Sequence, residues 1–341
     1  MLHKKPIQAL ALLLIILSLM TASCRVSRRP DQGPGQTGQE ERTDQQGPSS
    51  RKPRLPKQLH AQENQEPRLK VYIAQEKKVQ EMAFEDYVAG VVGGEIKNDW
   101  PLEAIKAQAI IARTFVLQFI EEKGQSKYKN AHVSTDIEEA QAWNADAVND
   151  RIKKAVKETR GQVIVYKGKF VRTWFHSNAG GKTATPLEGV NFKEEQTPYI
   201  KVVDSPDTGG NVDAEARKWT ASFPKAKVLS ALKEAGKPVK DFSRVSIAEK
   251  GPSGRAVTIQ FDDVRVSGAE LRLALGSTEM RSTLLDSIAL KGDKVVMTGR
   301  GYGHGVGMSQ WGAYTMAGQG KKAEDIINHY YKDIDIVKMW D

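Results

Sequence analysis

Three stretches of the sequence hold side chains whose type and spacing suit chemistry. The first centres on Glu95, which follows Gly93-Gly94 and precedes a helical stretch carrying Arg113. A carboxyl at a helix end beside a buried surface is a candidate general acid, because burial raises its pKa while a nearby cation lowers it. Taken alone, the stretch favours a surface glutamate in a loop. The second is FHSNAGGKTATPLEGV, residues 175–190. Gly181-Lys182-Thr183 invites a phosphate-loop reading, but that motif requires a glycine where His176 stands, so it is rejected. What remains is a polar, Gly-rich loop with Ser177 and Asn178 as hydrogen-bonding groups; an ordinary turn fits equally well. The third is GRGYGHGVGMSQWGAYTMAGQG, residues 299–320, with glycine at every second position from Gly299 to Gly307. Dinucleotide loops need a different spacing. Alternation predicts an extended segment with one face of bare backbone and the other showing Arg300, Tyr302, His304 and Val306. Gln310 and Trp311 follow at a helix start, a pairing of polar group and aromatic that suits a sugar ring. A structural crossing of Gly-rich backbone is the even alternative.

The elements that must position these residues are legible from periodicity. Phe84, Tyr87, Val88, Val91 and Val92 draw one apolar stripe down a helix, which the adjacent glycines are expected to end in a bend. Pro101 reads as the first residue of the next helix, whose apolar face runs from Leu102 to Phe119. Upstream, LKVYIA and KVQEM read as a strand pair. Downstream come a helix over 149–158 stopped by Gly161, and a hairpin turning at Lys167-Gly168. Residues 205–290 mix short strands with helices near Lys225 and Ala269. Two short helices and the strand DIDIVKM close the chain. With no regular βαβ rhythm and no repeat, the expectation is an α+β fold: a domain over 69–341 with an inserted α+β subdomain at about 205–290.

The chain has 341 residues, and its net charge of +9 suits an anionic partner. No Lys/Arg run interleaved with aromatics marks a nucleic-acid groove, so no nucleic-acid partner is expected. At the N-terminus, Lys4 and Lys5 precede an apolar run from Ile7 to Met20, short for a membrane span and suited to a secretory signal. Cys24, the only cysteine, stands directly behind it, so no intrachain disulfide can form. Its position resembles a bacterial lipoprotein signal, although Thr21-Ala22-Ser23 departs from the usual Leu-led pattern; an uncleaved anchor is the alternative. Residues 1–24 thus read as signal or anchor and residues 25–68 as a flexible linker. The body is expected outside the cytoplasm, held to the outer face of the membrane through its N-terminus.

Taken together, EDYVAGVVGGEI, WPLEAIKAQAIIARTF, ETRGQVIVYKGK, FHSNAGGKT, the glycine ladder and HYYKDIDI resemble the stage II sporulation protein D family, which includes the amidase enhancers called LytB. The likeness runs in the family's order from about residue 69 to the C-terminus. It implies a peptidoglycan lytic transglycosylase acting on peptide-stripped glycan strands. A stage II P-like amidase/endopeptidase and a stage II M-like membrane protein are the implied partners. Glu95 matches the family's catalytic acid, although Ile96-Lys97 replaces the usual Met-Pro. Matches to other motif positions put Arg113, Ser177, His304 and Gln310 in or near the substrate groove. Some relatives bind zinc through a His/Cys cluster in the segment corresponding to 131–143. Here His132 stands without a cysteine, and although His132, Asp136 and Glu138 form an imaginable site, the expectation is a surface loop with no metal and no cofactor. The enhancer branch implies a second function class, a wall-binding module that stimulates an amidase without cutting glycan.

Overall fold

The computed structural model describes residues 52–341, and the architecture is α+β. Strands β1 (Arg68–Ile73) and β2 (Lys78–Ala83) pair as an antiparallel hairpin. Helices α1 (Phe84–Glu95) and α2 (Leu102–Lys123) follow, and β3 (Val133–Ser134) lies parallel to β1. Helix α3 (Asp150–Glu158), capped by the Asn149 side chain, leads into β4 (Gln162–Tyr166) and β5 (Lys169–Phe170). Next come β6 (Phe175–His176), α4 (Pro186–Val190) and α5 (Ala214–Arg217).

A second lobe then folds as β7 (Trp219–Pro224), α6 (Lys225–Glu234), β8 (Val245–Lys250), β9 (Ala256–Phe261), β10 (Val264–Ser267), α7 (Gly268–Leu275), β11 (Leu285–Lys291) and β12 (Lys294–Gly299). The chain returns to the first lobe through β13 (Met308–Ser309), α8 (Gln310–Gly318), α9 (Ala323–Tyr330) and β14 (Asp335–Lys338). Two cores result. The larger packs the apolar stripes of α1 and α2 against β4, α8, α9 and Trp340. The smaller is built wholly from Trp219–Met297. It therefore begins later and ends later than the expected 205–290, because β12 lies between β7 and β11 and completes their sheet.

Gly93-Gly94 does not bend the chain: α1 continues through both glycines to Glu95. The glycines serve tertiary approach instead. A Cβ on Gly94 would lie 2.7 Å from the Ala142 carbonyl carbon, and one on Gly93 2.6 Å from the Asn144 carbonyl oxygen. Pro101 sits at the cap of α2 rather than in its first turn, its carbonyl taking the N–H of Ala104 and of Ile105. The ordered body also starts before residue 69. Leu59 is buried in the larger core, and Glu66 accepts from the Glu85 N–H and from Arg160. A few apolar and paired side chains thus dock 52–67, in a stretch whose composition reads as linker. The expected signal or anchor over 1–24, with Cys24, and the expected linker as far as residue 51 lie outside the described residues. Among the described residues, no helix is long and apolar enough to cross a membrane.

Candidate active site

Glu95 is the last residue of α1 and stands half-buried at the mouth of a cleft of ≈ 240 Å³, with Phe115, Gln141, Trp174, Phe175 and His304 among its lining. Its Oε1 accepts the Ala142 N–H at 2.7 Å. Desolvation pushes the carboxyl up to about 7, with the Ala142 hydrogen bond pulling the other way. The helix end is clamped from across the fold. Gln310, the first residue of α8, donates from Nε2 to the Glu95 carbonyl at 2.8 Å. Three close approaches therefore hold the acid: glycine contacts along α1, the Ala142 amide, and Gln310.

His304 faces the same cleft from the glycine ladder. The ladder is not an extended strand: Gly301, Gly303, Gly305 and Gly307 all have φ between 72° and 108°. Isolated bridges tie it to its neighbours, Tyr302 to Asn178 and Val306 to Ala184, and the Gly303 N–H donates to the Arg281 carbonyl. Each glycine supplies a backbone turn as well as a bare face. Arg300, expected beside His304, instead pairs with Asp286 at 2.9 Å on an exposed surface. The His304 Nδ1 accepts the Val306 N–H at 3.1 Å. Burial, then Arg272 and Arg255, hold its pKa down to about 3, so the ring is neutral at any physiological pH. His176, which stands where a phosphate loop needs glycine, lies buried beneath with the two rings 5.6 Å apart. Burial depresses it strongly as well; its Nδ1 meets the Val306 carbonyl, and its Nε2 has no hydrogen-bond partner among the described residues.

Ser177 faces an adjoining cleft of ≈ 390 Å³ together with Tyr302 and Trp311. Asn178 does not face a ligand; it is fully buried, donating to the Asp207 carbonyl and accepting from the Gly180 N–H. The loop's amides are spent internally. The buried Asp207 carboxylate accepts from the N–H of Ala179 and Gly181 and from the hydroxyls of Ser205 and Ser309. That carboxylate fixes Ser309 and hence the start of α8, where Gln310 begins its clamp. Nothing local in the sequence marks Asp207 for this, because its partners lie far along the chain.

Arg113 is not beside Glu95. It is fully buried and pairs with Glu85 at 2.6 Å, and its Nη1 also donates to the Gln162 carbonyl. Glu85 in turn accepts from the Gly161 N–H and the Trp340 indole. The arginine therefore ties α1, α2, β4 and the C-terminus together, and it leaves the acid's pKa to burial. His132 accepts the Lys70 N–H, and Asp136 is held by Lys127 and Tyr128. Among the described residues, no group of three or more His, Cys, Asp or Glu is placed to hold a metal ion.

Comparison with known proteins identifies relatives of the chain. The family model described as stage II sporulation protein matches residues 72–166, which carry Glu95 and the loop that bonds it. A model for a domain of unknown function matches residues 190–307, which contain the second lobe together with α5 and the glycine ladder as far as Gly307. An uncharacterised protein of Brachyspira hyodysenteriae is 33% identical over 264 residues, covering 76% of this chain and 68% of that protein. Stage II sporulation protein D of Bacillus amyloliquefaciens is 30% identical over 282 residues, covering 78% of this chain and 77% of that protein. An amidase enhancer of Bacillus subtilis is 26% identical over 297 residues, covering 71% of this chain but 39% of the enhancer. Sequence order, site geometry and relatives converge: the chain belongs to the stage II sporulation protein D family.

Proposed function

We propose that the chain is a lytic transglycosylase that cuts peptide-stripped glycan between N-acetylmuramic acid and N-acetylglucosamine. The observation that carries this reading is the carboxyl of Glu95, raised to about 7 and, among the described residues, the only carboxyl lining its cleft. Glycoside hydrolases generally use two carboxyls, one for the leaving group and one for water or a covalent intermediate. A single acid suffices when the nucleophile belongs to the substrate. Glu95 gives its proton to the glycosidic oxygen as the bond from the muramyl anomeric carbon breaks. The 6-hydroxyl of the same muramyl ring then attacks that carbon and returns its proton to the Glu95 carboxylate. A 1,6-anhydro end and a new 4-hydroxyl on N-acetylglucosamine result, and the acid is regenerated. His304, neutral with Nδ1 engaged, positions rather than transfers protons.

In this reading the body works outside the cytoplasm, held there through the N-terminus with Cys24 as the lipidation candidate. A stage II P-like amidase/endopeptidase supplies the stripped strand, and a stage II M-like membrane protein is the second partner. Likeness to an amidase enhancer favours one competing reading, a wall-binding module that stimulates an amidase. Mass spectrometry of products from peptide-free strands separates them. Anhydro-muramic ends are expected; reducing ends mean hydrolysis, and intact strands with a stimulated amidase mean a binder. A second expectation follows from the glycine contacts. Gly94→Ala forces the Ala142 backbone away from Glu95, since 2.7 Å is too close for any Cβ. Turnover of peptide-free glycan is expected to fall on the order of 10²-fold, as for other small misplacements of reacting groups. Circular dichroism should show the helices retained.

A further inference from the structure

None of the residues lining the Glu95 cleft comes from the second lobe, yet that lobe holds the glycine ladder on both sides of His304. The Gly303 N–H donates to the Arg281 carbonyl at 2.8 Å. Two residues on, Gly305 is covered by Arg255, which stands directly before β9 and is fully buried. A Cβ on Gly305 would lie 2.5 Å from the Arg255 Cζ, 2.5 Å from Nη2 and 2.6 Å from Nε. Three nearly equal distances put the face of the planar guanidinium, not its edge, against that backbone. Glycine is thus required here both by its φ of 84° and by the cation over it. The first lobe closes the other side of the same turn. Ala184 donates to the Gly305 carbonyl at 2.8 Å, and a Cβ on Gly189 would lie 2.3 Å from the His304 carbonyl oxygen.

The edge of the guanidinium is spent on the loop before α4. Nη2 donates to the Ala179 carbonyl at 2.6 Å and Nη1 to the Lys182 carbonyl at 2.8 Å. Asp207 takes the N–H of Ala179 and of Gly181 from the same loop, so this backbone lies between a buried anion and a buried cation. Nη1 also donates to the Ser253 hydroxyl, which donates to the buried Glu188 carboxylate on α4 at 2.7 Å. Burial draws Arg255 down to about 10 while Glu188 and Asp207 draw it up, so it stays charged at physiological pH. Asp207 leads through Ser309 to Gln310 and the Glu95 backbone. We propose that Arg255 is the matching positioning residue for the other wall: the second lobe supplies a guanidinium whose face sets the turn at Gly305 and thereby seats His304 in the Glu95 cleft. The inference rests on the reading that glycan is cut in that cleft. A lysine keeps the charge but has neither a planar face nor a fork that reaches two carbonyls.

The test compares Arg255→Lys with Val228→Ala, which opens the smaller core at α6. Both are assayed on peptide-free glycan strands under conditions in which circular dichroism shows them folded. Arg255→Lys is expected to lower kcat about 10²-fold, as small misplacements in an active site do, with KM changed by less than about threefold. Val228→Ala should keep both constants. In protein labelled at its histidine rings, the His304 NMR resonance, identified by its loss in His304→Gln, should move in Arg255→Lys and stay in place in Val228→Ala. Ser253→Ala keeps both charges and removes the hydroxyl between them; it serves if Arg255→Lys fails to fold, with kcat expected to be about tenfold lower. A wild-type kcat or an unmoved His304 resonance in the folded arginine variant, or an equal fall in Val228→Ala, overturns the inference, as does a wild-type kcat in Ser253→Ala. Wild-type protein that forms reducing ends or leaves strands intact sinks the proposed chemistry instead, and the His304 resonance still decides the positioning.

Discussion

Glu95→Gln is expected to abolish cleavage of peptide-free glycan and, above pH 7, to make the protein more stable. Loss of a general acid lowers turnover by about 10²–10⁴-fold. Stability moves the other way because the native carboxyl titrates at about 7 against an ordinary 4.5, raised chiefly by desolvation. The folded state thus binds the proton more tightly than the unfolded chain does. Its contribution is fully present below pH 4.5 and is lost as pH rises through about 7. Glutamine keeps an oxygen for the Ala142 N–H and cannot ionise. The two proteins should therefore unfold alike in urea at low pH, diverge as pH rises from about 4.5 to about 7, and differ above that by up to about 3 kcal/mol at an exchange of roughly 1.4 kcal/mol per pKa unit. Cleavage by the wild type should decline as pH rises through about 7 and the folded acid loses its proton. His304, held down to about 3, does not contribute to that limb.

Arg113→Ala is expected to destabilise the fold by roughly 3–5 kcal/mol, the usual consequence of leaving a buried charge without its partner. Glu85 would keep the Gly161 N–H and the Trp340 indole but lose the guanidinium, in a site where the glutamate is buried. The double variant Glu85→Gln with Arg113→Met should unfold at higher urea than Arg113→Ala, because no uncompensated charge remains and the glutamine oxygen still accepts both donors. Glycan affinity of the folded double variant should match the wild type. A loss of glycan binding at full stability would instead return Arg113 to the groove.

These two residues show what could be read from the chain alone. The helical stripe from Phe84 to Val92 puts Glu95 at a helix end, and the stretch after the glycine ladder puts Gln310 at a helix start, where both stand. The hairpin at Lys167-Gly168 and the helices near Lys225 and Ala269 were equally legible, because turn chemistry and periodicity are local signals. Partnerships across long separations were not. Arg113 lies on the helix after Glu95, yet its carboxylate is Glu85, one face earlier on α1. Gly93-Gly94 suggested a bend because local propensity disfavours helix there, and the approach of Ala142 and Asn144 overrides that propensity. Asp207 gathers donors from residues 179 to 309, and Leu59 enters a core built from segments that follow it. No window of sequence holds either arrangement.

Burial in the cleft raises the pKa of the Glu95 carboxyl, and its titration can be watched directly. Protein carrying isotopically labelled glutamate carboxyls, compared by NMR with the Glu95→Gln variant, isolates the one resonance that disappears. The account requires that resonance to titrate with a midpoint at about 7. A midpoint at the ordinary 4.5 would mean a solvated carboxylate, and Glu95 could not then serve as the acid.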